Sequence, residues 1–298
     1  MKYKIKKRYL PALSKIFTPI VLDSLAQNGT SNYLDEVVTN SGILNQLQAS
    51  YSLRHFFDWV YDLLLKNYRN EYIYKNAIAN KILLGRHSLN TSHMLTEFRV
   101  ANCKADVVIL NGTSTVYEIK SEFDSFYRLE NQIESYRKIF NHINVITSNS
   151  QLKKLYSKLP DGIGIMILTD RNTIKVVRNS RSQYSHLNAE VIFNSLRKNE
   201  YTAIIKEFYG NVPDVPNTQI YKVCKELFIT LPVDQLHDSM VQHLSYRKNS
   251  KLLQEFVKQA PSSLTAYALS GSATNKNIQN LIPLFKKPFK TILIPSIA

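Results

Sequence analysis

The sequence predicts a mixed α/β fold, an α+β mixed sheet flanked by helical N- and C-terminal regions. Three observations predict it. Residues 104–120 read as a β-hairpin, with Asp106 on one strand and Glu118 and Lys120 on the next. Ile143-Asn144-Val145-Ile146-Thr147 and Ile163-Gly164-Ile165-Met166-Ile167-Leu168 are short, β-branched apolar runs bounded by turn residues, as central strands are. Before residue 68 and after residue 189, apolar residues recur every three or four positions, which is helical spacing.

Residues 1–68 read as a helical N-terminal region. The stretch from Lys2 to Arg8 is basic, but the apolar segment behind it is interrupted by Lys15 and Asp23 and lacks a clear small-residue cleavage site. We read it as an amphipathic helix with Leu10, Leu13, Phe17, Ile20 and Val21 on one stripe, and expect a cytoplasmic protein. Phe56, Phe57, Val60, Leu63 and Leu64 form a second stripe. Between them, a short helix from Ser31 and another opened by Ser41-Gly42 resemble a helix-turn-helix unit or a plain helical packing module. No run reaches the ~18 apolar residues of a membrane span, so no membrane partner is expected.

Residues 69–180 carry the sheet. Asn70 caps a helix that repeats Tyr74, Ile78 and Ile82 and ends near Gly85. Residues 95–100 supply a first strand and the hairpin the next two. Glu118 and Lys120, two apart on a strand, point to one side. Asp106 joins them only in one register. A two-residue Asn111-Gly112 turn sets Asp106 opposite Tyr117. A loop of three or five residues within 111–115 sets it on the face of Glu118 and Lys120. Local turn chemistry allows both. Two carboxylates and an ammonium on one face suit a Mg²⁺-dependent phosphodiesterase: the carboxylates hold a hard cation, and the lysine positions or activates water and offsets phosphate charge. Residues 126–140 then form an amphipathic helix through Leu129, Ile133, Tyr136 and Phe140. Gln132 and Tyr136, four apart, share a face of it. A further helix separates the two central strands, and residues 173–178 add an edge strand.

Glu118-Ile119-Lys120 matches the (D/E)XK element of the PD-(D/E)XK nuclease superfamily, which the chain resembles over residues 69–170. Asp106 matches the upstream aspartate, with Ala105 where the name-giving proline would stand. The Glu-Ile-Lys-Ser run at 118–121 and the Arg-Leu-Glu-Asn-Gln run at 128–132 look most like a bacterial branch of that superfamily. Gln132 with Tyr136 is similar to the helix motif of RecB-like nucleases. The resemblance implies a restriction-endonuclease-like core. In it Asp106 and Glu118 ligate Mg²⁺ or Mn²⁺, Glu71 on the opening helix approaches as a further metal ligand, Lys120 is catalytic, and Gln132 and Tyr136 border the site. Glu97 and Asp124 read either as supporting acids or as surface residues.

Residues 181–298 read as a mainly helical, basic C-terminal region behind a polar linker at 179–188. Residues 189–209 form one amphipathic helix through Val191, Leu196, Tyr201, Ile204, Ile205 and Phe208, with further helices around Ile220 to Phe228 and over 233–246. The whole chain holds 38 basic and 23 acidic residues, a net charge of +15. Residues 171–298 hold 17 basic and 8 acidic side chains, against 12 and 10 in residues 71–170, so the positive field lies largely outside the core. A basic protein is drawn to a polyanion. The C-terminal part therefore either helps to hold DNA, with Arg247, Lys248, Lys286 and Lys287 as phosphate contacts, or only covers the core's apolar surface. Two cysteines, Cys103 and Cys224, argue against a disulfide framework, and neither belongs to a zinc set. His87 and His93 fall in a polar loop and are not expected to ligate metal.

The expected function is metal-dependent hydrolysis of phosphodiester bonds. DNA is the substrate implied by the resemblance, RNA is the other class, and antiviral defence, restriction and repair are the biological settings. The alternatives are a non-catalytic nucleic-acid-binding protein on the same fold and a protein-interaction or regulatory module. A homo-oligomer or a protein partner is left open. Asp106→Ala and Glu118→Ala are expected to abolish cleavage and leave the fold intact.

Overall fold

The computed structural model describes residues 5–48, 50–245 and 251–293. The chain divides into two units, Met1–Gly85 with Asp170–Thr173 and Ser250–Ala298, and Arg86–Thr169 with Ile174–Asn249.

The second unit is built on a six-stranded mixed sheet flanked by helices. Its strands are β1 (His93–Val100), β2 (Cys103–Leu110), β3 (Ser114–Lys120), β4 (His142–Thr147), β5 (Gly164–Leu168) and β6 (Ile174–Arg178), in the order β1-β2-β3-β4-β5-β6. β1, β2 and β3 form an antiparallel meander, β3, β4 and β5 run parallel, and β6 returns antiparallel. Parallel neighbours need a crossover connection. The helices Leu129–Arg137 and Leu152–Tyr156 provide the two required here. β5 is buried along its whole length and β4 at all but its first residue, which explains their unbroken apolar runs. Gly164 pairs with Asn144, and a Cβ at Gly164 would stand 2.0 Å from Asn144 Oδ1. The close approach demands glycine there.

One face of this sheet carries a core to which Val108, Val116, Val145 and Ile165 contribute. Leu129, Ile133 and Tyr136 pack into it, and so do Phe193, Ile204, Phe228 and Met240 from helices after β6. Residues 189–245 thus complete the sheet's core. The stretch expected to be one helix over 189–209 is two, Ala189–Ser195 and Lys198–Tyr209. Leu196 is extended between them, and the Glu200 carboxylate caps the second by accepting the Arg197 N–H at 2.7 Å. The polar residues 179–188 are tied down: Arg181 N–H donates to the Gly162 carbonyl and Gln183 N–H to that of Asn141, both at 2.8 Å.

The first unit is helical. The N-terminal stripe is split, because Thr18 is extended and Pro19 opens a new helix, Pro19–Asn28. The helix Asn32–Ser41 ends on Gly42 with φ 71°, and a 3₁₀ turn, Ile43–Gln46, follows in place of the second helix that a helix-turn-helix needs. Helix Glu71–Ile78 continues through a π-helical turn, Ala79–Leu83, into Leu84–Arg86, so Gly85 lies inside the helical run and not past its end. Near the C-terminus the Lys287 carbonyl accepts the Leu53 N–H at 2.9 Å, and Phe289 stacks on Phe56 at 3.9 Å. Arg247, Lys248, Tyr246 and Pro295 lie outside the described residues. Among the described residues no helix is long and apolar enough to cross a membrane.

Candidate active site

The hairpin register decides whether a site exists. Leu110 pairs with Ser114, leaving a three-residue loop, Asn111-Gly112-Thr113, with Gly112 at φ 63°. The odd loop wins over the two-residue turn. Pairing runs from Leu110 and Ser114 to Val107 and Tyr117, which brings Asp106 level with Glu118 on the same side. Beyond Val107 the ladder stops. The Asp106 carboxylate takes over, its Oδ2 accepting the Ile119 N–H at 2.7 Å.

The other flank of Asp106 is irregular too. The β1–β2 ladder passes from Thr96↔Val107 to Phe98↔Ala105 without a pair between Glu97 and Asp106. Glu97 has φ 53°, a left-handed conformation rare for a side chain with Cβ. Both strands change faces at this level. Leu95, Val108 and Leu110 turn to the shared core before it, and Phe98, Val100 and Ala105 after it. The change of face coincides with the left-handed Glu97 on β1 and with the unpaired ladder position of Asp106 opposite it on β2. A carboxylate oxygen of Glu97 lies within 4.8 Å of one of Asp106.

Glu118 and Lys120 are buried, 1 % and 5 % exposed. Lys120 Nζ donates to Glu118 Oε1 and to Gln132 Oε1, each at 2.9 Å. The Tyr136 hydroxyl lies 2.8 Å from Glu118 Oε2 and 2.8 Å from the Lys104 carbonyl oxygen. Burial, then the Glu118 charge, pushes the Tyr136 phenol well up, so it stays protonated as a donor. Four of the residues singled out in the sequence, Glu118, Lys120, Gln132 and Tyr136, thus form one hydrogen-bonded group beside Asp106. The helix bearing Gln132 and Tyr136 starts at Leu129, later than the expected Phe126.

Two further acids are among those singled out in the sequence. Asp124 Oδ2 accepts the Ser121 N–H at 2.8 Å and the Ser121 hydroxyl at 2.5 Å, closing the turn after β3. Glu71 belongs to the first unit, at the first turn of its helix, where it pairs with Lys75 Nζ at 2.5 Å.

Asp106 and Gln132 line a cleft of about 930 Å³ that also takes in Arg99, Lys104, Arg128 and Lys138. Cations outnumber acids there, Glu134 being the other acid of the lining. Sequence reasoning did not assemble these four cations, since no spacing rule joins a strand end, a strand start and the two caps of a later helix. The carboxylates of Asp106 and Glu97 offer oxygen donors within 4.8 Å of each other, which fit a hard divalent cation.

Residues 65–269 match the family described as bacteriophage P4 protein cII. The chain belongs to that family. The matched segment of this P4 cII family member contains Glu97, Asp106, Glu118, Lys120, Gln132 and Tyr136. Protein cII of Enterobacteria phage P4 is 22% identical to it over 165 residues, covering 53% of this chain and 61% of that protein. The alignment thus spans about three-fifths of the length of this curated relative. Among solved structures, the SPO1766 protein of unknown function from Silicibacter pomeroyi aligns with a TM-score of 0.26 and 16% identity, covering 47% of this chain and 74% of that one.

Proposed function

We propose that this P4 cII family member is a metal-dependent nuclease of the PD-(D/E)XK type that hydrolyses phosphodiester bonds of DNA. One observation carries the reading: the buried Glu118–Lys120 pair, held by Gln132 and Tyr136, stands beside Asp106 in the hairpin. A buried ion pair contributes little to stability compared with an apolar pair of the same volume. Its partner Gln132 and the adjacent Asp106 line a basic cleft, which supports a chemical use.

Asp106 and Glu118 would hold Mg²⁺ or Mn²⁺, with a Glu97 carboxylate oxygen within 4.8 Å of one of Asp106. Such a cation polarises a phosphoryl oxygen and eases deprotonation of water. Lys120 orients the attacking water and offsets charge developing on the scissile phosphate. Gln132 fixes the Lys120 ammonium, and Tyr136 fixes the Glu118 carboxylate. Arg99, Lys104, Arg128 and Lys138 draw the phosphate backbone into the cleft. Its cysteines Cys103 and Cys224 are free thiols, which suits the cytoplasm, where we place the activity.

The test is incubation with plasmid, linear and single-stranded DNA in Mg²⁺, Mn²⁺ or EDTA, beside an Asp106→Asn variant. Cleavage in either metal, absent in EDTA and in the variant, is expected. Salt-sensitive binding with no cleavage in any metal would overturn the nuclease reading in favour of a binding protein on the same fold. No affinity for nucleic acid would overturn both.

A further inference from the structure

We propose that the nucleic acid taken here is single-stranded or locally unpaired, its bases stacking on Phe123 and Tyr127 and its phosphates held by Arg128, Lys153, Lys154 and Lys158. That this surface lies beside the scissile phosphate rests on the nuclease reading; the binding itself does not.

Residues 121–128 join the Lys120 end of β3 to the helix that bears Gln132 and Tyr136. This loop is pinned from within. Asp124 holds Ser121, and Phe126 is buried in the sheet's core. Yet Phe123 is 60% exposed and Tyr127 is 91% exposed. Large aromatic rings held out to water on a pinned loop, next to a proposed reactive site, point to a partner that covers them.

The neighbouring helix Leu152–Tyr156 identifies the partner's charge. Gln151 Nε2 donates to the Glu122 carbonyl at 3.4 Å, and Lys154 Nζ lies 5.5 Å over the Phe126 ring. Lys153 and Lys154 are exposed on it, Lys158 is exposed in the turn that follows, and Tyr156 adds a third exposed ring. Arg128 lines the cleft and follows Tyr127 directly. Glu122, Asp124 and Glu130 are the exposed acids of residues 121–130, three against the four cations Arg128, Lys153, Lys154 and Lys158. Cations alone would serve duplex and single strand alike. Rings discriminate. Duplex bases are already stacked on each other, whereas an unpaired base offers an open face to an aromatic side chain.

The experiment measures affinity in EDTA, so that no cleavage intervenes, for labelled oligo(dT), oligo(U) and a duplex of equal length at two salt concentrations. Wild type is compared with Phe123→Ala/Tyr127→Ala, with Phe123→Leu/Tyr127→Leu, and with Lys153→Ala/Lys154→Ala/Lys158→Ala. Circular dichroism confirms that each is folded. We expect both aromatic variants to bind single strands about tenfold or more weakly and the duplex unchanged. The Leu variant keeps apolar bulk, so its weaker binding assigns the effect to the ring faces and guards against a folding defect in the Ala variant. The lysine variant should weaken both forms, with a salt slope on single strands shallower by about 0.7 for each phosphate no longer neutralised. Loss of dT or U binding alone assigns DNA or RNA, and either supports the proposal. Unchanged single-strand affinity in both aromatic variants, or equal loss on duplex, overturns it. Single-strand binding that needs the rings, without cleavage when Mg²⁺ or Mn²⁺ is restored, would overturn the nuclease reading and leave this proposal standing.

Discussion

At the residue scale, the site is a set of groups that hold one another. Glu118 cannot be treated as a removable surface carboxylate. Glu118→Ala would leave the Lys120 ammonium buried without its partner, and Lys120→Ala would do the same to Glu118. Each is expected to cost about 3–5 kcal/mol in chemical denaturation. This corrects the expectation that Glu118→Ala leaves the fold undisturbed. Asp106→Asn is the better probe: it keeps an oxygen for the Ile119 N–H at one charge less, and should abolish cleavage with little change in midpoint. Tyr136→Phe keeps the ring against Phe140 but strips the donor from Glu118. A loss of about 1–3 kcal/mol is expected, with slower cleavage. Glu97 offers the reverse case. Glycine would relieve its φ of 53°, so Glu97→Gly should hold or raise stability while lowering metal-dependent cleavage. A Glu97→Gly protein that is fully active would remove Glu97 from the site.

At the element scale, helix Val233–Ser245 is docked on the start of β3 through one buried imidazole. Ser114 Oγ accepts the Asn141 N–H at 3.0 Å and is hydrogen-bonded to His237 Nε2 at 2.7 Å. On the other side His237 Nδ1 faces Asp238 Oδ1 at 3.2 Å and the Tyr184 hydroxyl at 3.3 Å. Burial holds the His237 pKa below its ordinary value, against the raising effect of Asp238, and burial lowers that of His142 as well. The unfolded chain therefore takes up protons first. Stability is fully present above the unfolded value of about 6.5 and falls as pH drops through that value towards the lowered folded ones. Urea midpoints at pH 7.5 and 5.5 should show this fall, and His237→Gln, which keeps a polar partner for Ser114, should flatten it in part. An unchanged slope would show that other groups carry the dependence.

At the scale of the whole molecule, the sheet's core extends to Leu244, with Phe193, Ile204, Phe228, Leu236 and Met240 closing over it. A chain ending near residue 180 would expose that face. It is expected to be unfolded or insoluble, as circular dichroism and size-exclusion chromatography would show, and not to remain a folded core that merely binds DNA less well. Much of the architecture was legible locally. The runs at 143–147 and 163–168 read as buried strands because a strand covered on both faces has no polar side to show. Glu118 and Lys120 share a face by strand parity, and Gln132 and Tyr136 by helical spacing, before any tertiary contact is known. The sequence by itself therefore determined the mixed sheet with helical flanks and the two pairs of site residues. Only the tertiary structure decided the rest. It chose the three-residue loop over the two-residue turn, since the buried face of the sheet selects the register and the turn residues do not. It interrupted the β1–β2 ladder at Glu97 and Asp106, with Glu97 left-handed, because paired strands can change face together only where the ladder is broken. It gathered Arg99, Lys104, Arg128 and Lys138 into one cleft from separate elements, a nearness set by packing in three dimensions that no one-dimensional pattern records.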